Sequence, residues 1–328
     1  MIVEGRRRFE DDDAHVALVT RTLRLELAAW RDIVARWCAA GPAEAPESRR
    51  LDDLKAALQQ LPPALLTRSC LVCGGTAKCC DDDGVLRWLC CEACGHGALL
   101  EGVAPRYDAA YYATRTATGV GYDAYLAERV YREDKGRALV SALIERHGAT
   151  PRTMLEVGSG FGFTRAAAQG LGLDTTGVDV NPAAKEGAHS LYGFQTMVGL
   201  ASSLNPTLRF DLVLYQFVLE HIADVRAELT TARQLSRGGG LACFVVPSMD
   251  ATERRVFGSL YRSYRADHLH LFSRASVTRL LREAGFDDVQ LRSVCNLHLL
   301  RPFLSNAELD ALSARGDGPD LIVTARSP

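Results

Sequence analysis

The spacing of apolar residues divides the chain into an N-terminal helical part and a longer part dominated by short apolar runs. Over residues 14–38, apolar side chains recur every three or four positions, which predicts an amphipathic helix. Residues 40–48 are polar and contain two prolines, so they predict a linker, and residues 51–61 predict a second, shorter helix. Beyond this helix, apolar runs of strand length replace the helical period.

From residue 153 onward, apolar runs alternate with helical patterns. The predicted strands span 153–157, 175–180, 195–198, 210–216 and 241–246, and a glycine turn at 237–240 precedes the last of them. Continuously apolar strands separated by helices are typical of a parallel sheet covered on both faces. A helix at 276–284 follows, and residues 289–294 and 321–325 predict a closing, hairpin-like pair of strands. The pattern therefore predicts an α/β fold with a doubly wound, mostly parallel sheet.

Three glycines at alternate positions, Gly158, Gly160 and Gly162, follow the first strand of this series, and a helical pattern begins at Thr164. Such a turn lets a ligand lie close to the backbone, because glycine has no Cβ and tolerates positive φ. The N–H groups at the start of the next helix point back at that ligand. The spacing differs from the dinucleotide pattern, and no Lys-Ser/Thr pair follows as in a phosphate-binding loop. The turn alone predicts a ligand without specifying it.

Two Cys-x-x-Cys pairs, Cys70/Cys73 and Cys91/Cys94, are each followed by glycine and are separated by 17 residues. Two cysteines at this spacing in a tight turn present both thiolates to one ion, and two such turns close a tetrahedral site. A site of four thiolates has no open position, so the prediction is a structural zinc ion in a ribbon-like element. Residues 81–84 predict the turn between its two β arms.

Three other cysteines, Cys79, Cys80 and Cys90, are interpreted as small core residues of this element. Replacing Cys91 by Cys90 as a ligand would lose the two-residue spacing. His96 becomes a ligand only if one cysteine is not. An iron–sulfur cluster also uses four cysteines, but paired knuckles around a hairpin favour zinc.

The charge and the apolar content of the chain argue against nucleic acid and membranes as partners. The net charge is −2 and the pI about 6.5, which gives no electrostatic footprint for nucleic acid. No apolar run approaches the roughly 18 residues of a membrane span, and the N-terminus lacks the apolar segment of a secretory signal. We therefore expect a cytoplasmic protein, where clustered cysteines bind metal more often than they form disulfides.

Several segments, taken in order, resemble class I S-adenosylmethionine-dependent methyltransferases of the small-molecule type. The segments are residues 156–162, 178–182, 210–221, 238–240, 246–247, 268–273 and 284–286. Sugar C-methyltransferases in this group also carry a four-cysteine zinc element before the catalytic domain. The resemblance covers about residues 105–328 and implies a Rossmann-like methyltransferase domain there, whose tyrosine-rich N-terminal cover spans 105–150. The residue pattern places an N-terminal helical region (1–66) and the cysteine element (67–104) before it.

The resemblance also implies a set of cofactor contacts: Glu156, Gly158, Gly160, Gly162, Asp179, Val180, Ser202, Gln216 and Tyr122. The glycines would face the methionine part of S-adenosylmethionine, and Glu156 the region of its amino group. Asp179, at the end of a strand, would accept both ribose hydroxyls. Its alternative role is to cap the next helix, which Asn181 could do instead. No acidic residue follows the third strand, so Ser202 or nearby backbone groups would contact the adenine.

Three histidines are candidates for a general base: His221 after the fourth strand, and His268 and His270 in an insertion after the fifth. His268 and His270 occupy alternate positions and point in opposite directions if extended, so only one of them serves the site. We favour His268, and the alternative for His221 is a structural role. Tyr122 and Tyr125 either line the pocket or pack the cover.

The insertion also carries Arg254, Arg255, Arg262 and Arg265, which indicate either an acidic substrate or a solvated face. The leading hypothesis is methyl transfer to O, N or C of a small biosynthetic intermediate, related to natural products or sugars. The alternatives are an RNA methyltransferase with a zinc-ribbon recognition element and a non-catalytic scaffold. A homodimer through the N-terminal helix is a further hypothesis.

Overall fold

The computed structural model describes residues 67–82, 86–100, 107–115, 120–122, 125–258, 261–294, 307 and 314–328, apart from the side chains of residues 256 and 257. The predicted helices over 14–38 and 51–61, the linker between them and the dimer hypothesis that rests on the first helix lie outside these residues. Among the helices in the described part of the chain, none is long and apolar enough to cross a membrane.

The elements follow one another along the chain as two groups of strands with intervening helices. They are β1 (Thr67–Ser69), β2 (Thr76–Asp82), β3 (Arg87–Cys91), β4 (Gly97–Leu99), α1 (Arg129–His147), β5 (Thr153–Val157), α2 (Phe163–Gly170), β6 (Asp174–Asp179), α3 (Pro182–Tyr192), β7 (Thr196–Val198), β8 (Phe210–Gln216), α4 (Val225–Leu235), β9 (Ser236–Pro247), α5 (Thr252–Phe257), β10 (His270–Leu271), α6 (Arg274–Glu283), β11 (Asp287–Val294) and β12 (Asp320–Arg326).

The larger sheet has seven strands in the order β11-β12-β9-β8-β5-β6-β7. Strands β5 to β9 pair in parallel, whereas β12 is antiparallel to both β9 and β11. The order reverses at β5, so the ends of β5, β6 and β8 meet at one edge of the sheet. The predicted α/β fold with a mostly parallel sheet and a closing antiparallel pair is confirmed.

The strands at the centre of this sheet are largely apolar because both of their faces are covered, so nearly every side chain along them is buried. Met154, Leu155, Leu212 and Leu214 are fully buried in β5 and β8. One local prediction is wrong: Arg237–Gly240 is not a turn outside the strand but the irregular first part of β9. Its pairing with β8 shifts register between Phe210 and Leu212, which accommodates the glycines within the strand.

The smaller sheet has the order β1-β2-β3-β4-β10. Its first four strands carry the cysteine pairs, and β2 extends through Asp82, so Asp81 and Asp82 belong to a strand rather than to the predicted turn. The fifth strand, β10, comes from the insertion after β9 and pairs antiparallel with β4. The cysteine element therefore shares a sheet with a segment that lies about 170 residues further along the chain.

Asp211, at the start of β8, fixes the beginning of β5. Its Oδ2 accepts hydrogen bonds from the N–H groups of Arg152 and Thr153 and from the Thr153 hydroxyl at 2.9–3.0 Å, and its Oδ1 pairs with Arg237 at 2.8 Å. Burial alone would raise the pKa of Asp211, but the hydrogen bonds outweigh it and lower the pKa below the ordinary value of 3.8.

We expect Asp211→Asn to lower the free energy of unfolding at pH 7 by about 1–3 kcal/mol, because charged acceptors of buried amides are lost. A carboxyl with a lowered pKa stabilises the fold above its unfolded pKa and loses that effect as the pH falls through the folded pKa. The difference from wild type should therefore shrink below about pH 4. Urea unfolding at several pH values measures it, with Asp287→Asn as the exposed control. A pH-independent difference would contradict the charge-based explanation.

Candidate functional site

The glycine turn and Asp179 meet at the edge where β5 and β6 end. The N–H groups of Gly158 and Ser159 donate to the carbonyl of Val178, and that of Gly160 donates to Asp179 Oδ2 at 2.8 Å. Asp179 Oδ1 accepts from the amide of Asn181 at 2.8 Å. Asn181 itself caps α3, since its Oδ1 accepts from the amide of Ala183. Asp179 is therefore free of the capping role and belongs to the turn.

Packing and backbone conformation both require glycine in this turn. Gly158, Gly160 and Gly162 all have positive φ, at 69°, 50° and 83°. A Cβ at Gly158 would collide with Val218, and one at Gly160 with the hydroxyl of Tyr125. The turn is thus bounded on one side by the loop after β8 and on another by the tyrosine-rich cover.

Glu156 lies beneath the turn with only 4% of its surface exposed. Its Oε2 has no hydrogen-bond partner in the described part of the structure. Burial raises the pKa of Glu156 to about 8, although Arg165 and Thr164 oppose the shift. A buried carboxylate oxygen without a donor is costly unless a ligand supplies one, so this position favours a cationic group beside the turn.

The predicted cover is an aromatic cluster over the turn. Tyr112 and Tyr125 pack against Phe161 with ring centroids at 4.6 and 5.1 Å, and Tyr122 lies 4.8 Å from Tyr125. The guanidinium of Arg132 stacks on Tyr122 and Tyr125 at 5.1 and 4.4 Å. Tyr122 and Tyr125 therefore both pack in the cover, and Tyr125 also borders the turn because its hydroxyl lies over Gly160.

The edge beside Asp179 is apolar and open. Val180, Val198 and Leu200 expose 39%, 46% and 55% of their surface, which is high for such side chains. The amide of Gly199 donates to the carbonyl of Asp179, which keeps this rim next to the carboxylate. Ser202, the predicted adenine contact, is exposed in a short 3-10 turn behind Leu200. Val198 has no signal in the sequence other than its place at the end of a strand.

The loop after β8 approaches the glycine turn from the other side. Gln216 accepts a hydrogen bond from the Thr164 hydroxyl at 3.4 Å. Phe217 is in the left-handed region with φ of 56° and is 36% exposed, and its N–H donates to the carbonyl of Val245. Non-glycine residues rarely adopt this conformation, and they concentrate at functional sites. No pattern in the sequence indicated the conformation of Phe217.

His221 and His268 meet just beyond this loop, with ring centroids 4.9 Å apart. Nδ1 of His221 lies 2.7 Å from the carbonyl of Asp267, and Nδ1 of His268 lies 2.9 Å from the carbonyl of Ser263. Burial lowers the pKa of both rings, so both are neutral near pH 7. Glu220 completes the group, and one potential ligand atom from each of the three residues lies within 4.8 Å of the others.

The structure separates His270 from this group. Its Nδ1 lies 3.2 Å from Nε2 of His96, and both rings are almost fully buried. His268 and His270 thus occupy different environments, as their alternate positions predict. His96 is likewise engaged with His270 and is not part of the cysteine cluster.

The four arginines of the insertion have partners within the chain. Arg262 pairs with Glu253 and Asp320, and Arg265 forms two bonds of 2.9 and 3.0 Å with Asp267. The remaining contacts are those of Arg255 with Asp317 and of Arg254 with Tyr264 and Cys90. The prediction of an acidic substrate therefore gains no support from this stretch.

The two cysteine pairs come together as the spacing predicts. The sulfurs of Cys70 and Cys94 are 3.7 Å apart, those of Cys73 and Cys91 are 3.4 Å apart, and all four lie within 4.8 Å of one another. The amides of Val72 and Gly75 donate to Cys70 and Cys73. These N–H···S contacts are those expected where the knuckle backbone turns toward thiolates.

The interpretation of the other cysteines as core residues is wrong for Cys80, whereas Cys79 and Cys90 are half-buried and pack against hydrophobic clusters. Cys80 is exposed and forms a disulfide with Cys90 across β2 and β3. The reason is an irregularity in the strand: the β2–β3 register shifts between Cys79 and Asp81, so Cys80 is the extra residue and its side chain stays exposed beside β3.

Comparison with known proteins identifies the family. A sequence model described as "Methyltransferase domain" matches residues 122–291, and the chain belongs to this family. The match to the ubiquinone biosynthesis O-methyltransferase of Rhodopseudomonas palustris (strain BisB18) is 31% identical over 93 residues, 27% of this chain and 37% of that protein. The chain thus spans little more than a third of the length of this curated relative.

Solved structures with a similar chain path include two methyltransferases. One, an S-adenosylmethionine-dependent enzyme from Thermotoga maritima, is 19% identical, with a TM-score of 0.45 and coverage of 61% of this chain and 91% of that one. The other, a 1,6-didemethyltoxoflavin-N1-methyltransferase from Burkholderia thailandensis, is 22% identical, with a TM-score of 0.41 and coverage of 60% and 78%. The fold assignment rests on the strand order of the protein itself.

The contact between Gly160 and Tyr125 gives a test of the cover. Gly160 and Gly172 both have positive φ, but an added Cβ meets another group only at Gly160. We expect Gly160→Ala to destabilise the protein by about 1–3 kcal/mol more than Gly172→Ala, because it also displaces the Tyr125 hydroxyl. Urea unfolding measures the difference, and Tyr125→Phe should reduce it. Equal costs at the two glycines would show that the cover does not rest on the turn.

Proposed function

We propose that the protein transfers a methyl group from S-adenosylmethionine to O, N or C of a small biosynthetic intermediate. The observation that carries this proposal is the bond between Gly160 and Asp179, which joins the glycine turn to the carboxylate at the end of the next parallel strand. In a member of the methyltransferase family, this arrangement supports the adenosyl and methionine ends of one cofactor lying side by side.

The residues present fit this cofactor. Each oxygen of Asp179 accepts one backbone N–H, which leaves each a lone pair for a ribose hydroxyl. The unpartnered Oε2 of Glu156 suits the ammonium group, and the three glycines leave room for the methionine chain. The apolar rim of Val180, Val198 and Leu200 offers a surface for the adenine, and Ser202 stays a secondary candidate.

When bound, S-adenosylmethionine supplies a methyl group on a sulfonium, which is electrophilic toward oxygen, nitrogen and carbon. The protein's part is to orient the acceptor and exclude water, which is worth about 7–11 kcal/mol in well-oriented systems. The tyrosine cover and the loop from Gln216 to His221 border the turn from two sides. Glu220, His221 and His268 are the polar groups nearest to this loop and are the candidates for handling the acceptor's polar group.

A small acceptor is favoured over RNA by the charge and by the cover. The chain carries a net charge of −2, and the insertion arginines are paired with carboxylates or other groups of the same chain. Nucleic-acid binding requires unpaired basic residues along a surface. The relative from Rhodopseudomonas palustris is named for O-methylation in ubiquinone biosynthesis, which supports a small-molecule acceptor here.

Methyl transfer is tested by measuring cofactor binding and product formation. We expect S-adenosylmethionine to bind in calorimetry, and Asp179→Ala to weaken it by roughly 10- to 100-fold, because two charge-assisted hydrogen bonds are lost. Asp174→Ala, at the exposed opposite end of β6, is the matched control and should stay within about twofold. Mass spectrometry of hydroxylated, amino and enolic acceptors then identifies the product. A wild-type protein that does not bind the cofactor would support the scaffold alternative.

We propose further that Cys70, Cys73, Cys91 and Cys94 hold a structural zinc ion. Sulfurs at about 2.3 Å around a tetrahedral ion lie about 3.8 Å apart, and the two measured pairs are close to this separation. All four positions would be filled by protein, so the ion would hold the knuckles together and take no part in catalysis.

Metal analysis tests the zinc proposal directly. We expect about one zinc ion per chain in protein purified without chelators, and a lower melting temperature after chelation, because the site is closed by four thiolates. Cys73→Ser should lose both the zinc and the stability, whereas Cys79→Ser, at a neighbouring cysteine outside the cluster, should retain both. Wild-type protein with well under one zinc per chain and no response to chelator would refute the proposal.

A further inference from the structure

A cavity of about 200 Å³ lies between the small sheet and the loop after β8. Its walls include the apolar side chains of Leu89 in β3 and Leu99 in β4, and Leu269 of the insertion. Among the described residues that line it, none belongs to the glycine turn or to the tyrosine cover. His270 lines the cavity, whereas His268 faces the loop after β8 from the other side of the same segment. The cavity is therefore separate from the cofactor site.

Two buried histidines contribute polar atoms to this cavity. His96 and His270 expose only 2% and 4% of their surface, and Nε2 of His96 lies 3.2 Å from Nδ1 of His270. The other nitrogen of each ring has no hydrogen-bond partner within the described residues. Backbone groups of Ile222 and Ala223 lie near His270, but in poor hydrogen-bond geometry. Buried nitrogens without partners are costly, so the histidine pair calls for a ligand or bound water.

The hydrogen bond between the two rings limits which group of a ligand can meet them. Imidazoles that are buried this deeply are neutral, so one ring donates to the other and each ring has one nitrogen with a proton and one with a lone pair. The two outer nitrogens are then one donor and one acceptor, whichever ring donates. A hydroxyl group both donates and accepts, so it can pair with an outer nitrogen in either arrangement.

Arg68 adds a positive charge to the lining of the cavity. This arginine is exposed in β1, and its guanidinium donates to the carbonyl of Leu100 at 3.4 Å. A guanidinium carries five N–H donors, so most of them stay available for a ligand. Guanidinium groups bind carboxylates through two parallel, charge-assisted hydrogen bonds. The lining therefore combines apolar walls, a neutral histidine pair and a cation that suits a carboxylate.

We propose that this cavity binds a hydroxylated aromatic acid with a single ring, as a second ligand of the protein. An apolar cavity of about 150 Å³ holds benzene, so the larger cavity here accommodates one ring with small substituents. The ring packs on the leucines, the hydroxyl meets the histidine pair and the carboxylate meets Arg68. The bound molecule also touches Leu269, whose amide donates to the carbonyl of Glu220. Occupancy therefore braces the loop after β8 from behind.

Calorimetry of the full-length protein with 4-hydroxybenzoate tests the site without an activity assay. We expect saturable binding at one site per chain, with a dissociation constant below about 1 mM. Benzoate and phenol each lack one of the two polar groups and should bind roughly tenfold more weakly. Arg68→Ala should weaken 4-hydroxybenzoate binding roughly tenfold and leave phenol binding unchanged, because only the carboxylate loses its partner. Lys78→Ala, at an exposed lysine of the same sheet, is the matched control and should retain both.

A second variant fills the space directly. Ala98→Leu adds a larger side chain to the lining and should abolish binding of 4-hydroxybenzoate and phenol alike, while thermal melting shows that the variant is folded. No saturable binding to the wild type overturns the proposal and leaves bound water as the partner of the histidines. Binding that Arg68→Ala and Ala98→Leu both retain also overturns it, since the probe then lies elsewhere. Competition between 4-hydroxybenzoate and S-adenosylmethionine would likewise refute a separate site and leave the proposed function intact.

Discussion

The hydrogen bond from the amide of Gly160 to Asp179 is the interaction on which the site depends. It joins the turn after β5 to the end of β6, so the two strand ends present one continuous surface. Gly160 makes this bond with a positive φ, and because it has no Cβ it also leaves space for the Tyr125 hydroxyl above it. The backbone of this turn therefore holds the Asp179 carboxylate in position and provides the surface on which Tyr125 of the cover packs.

Much of the sheet follows from the sequence because its causes are local. β5 and β8 agree with the apolar runs at 153–157 and 210–216 to the residue, since continuous burial leaves a continuous hydrophobic signal. The glycine turn, Asp179 and the two Cys-x-x-Cys pairs are equally local, because each is a short segment whose geometry is set by its own residues. Asn181 as the cap of α3 belongs to the same class.

The parts that the sequence did not reveal depend on contacts between distant segments. A two-residue strand such as β10 has no periodicity of its own, and its pairing with β4 is formed by the fold. The Cys80–Cys90 disulfide depends on a cross-strand register, and the ion pairs of Arg262 join a loop to β12. In the sequence the four arginines of the insertion read as a basic stretch. In the structure, carboxylates pair with Arg255, Arg262 and Arg265 and offset much of that charge.

The insertion after β9 connects the cysteine element to the loop that follows β8. The backbone of Leu269 connects the two: its carbonyl accepts from the amide of Leu99 in β4, and its amide donates to the carbonyl of Glu220. On either side of it, His268 faces His221 while His270 faces His96. Backbone hydrogen bonds of this kind transmit position well because they allow little lateral movement. A displacement of the small sheet would therefore be transmitted through Leu269 to the segment that carries His268 and to the loop that carries Glu220.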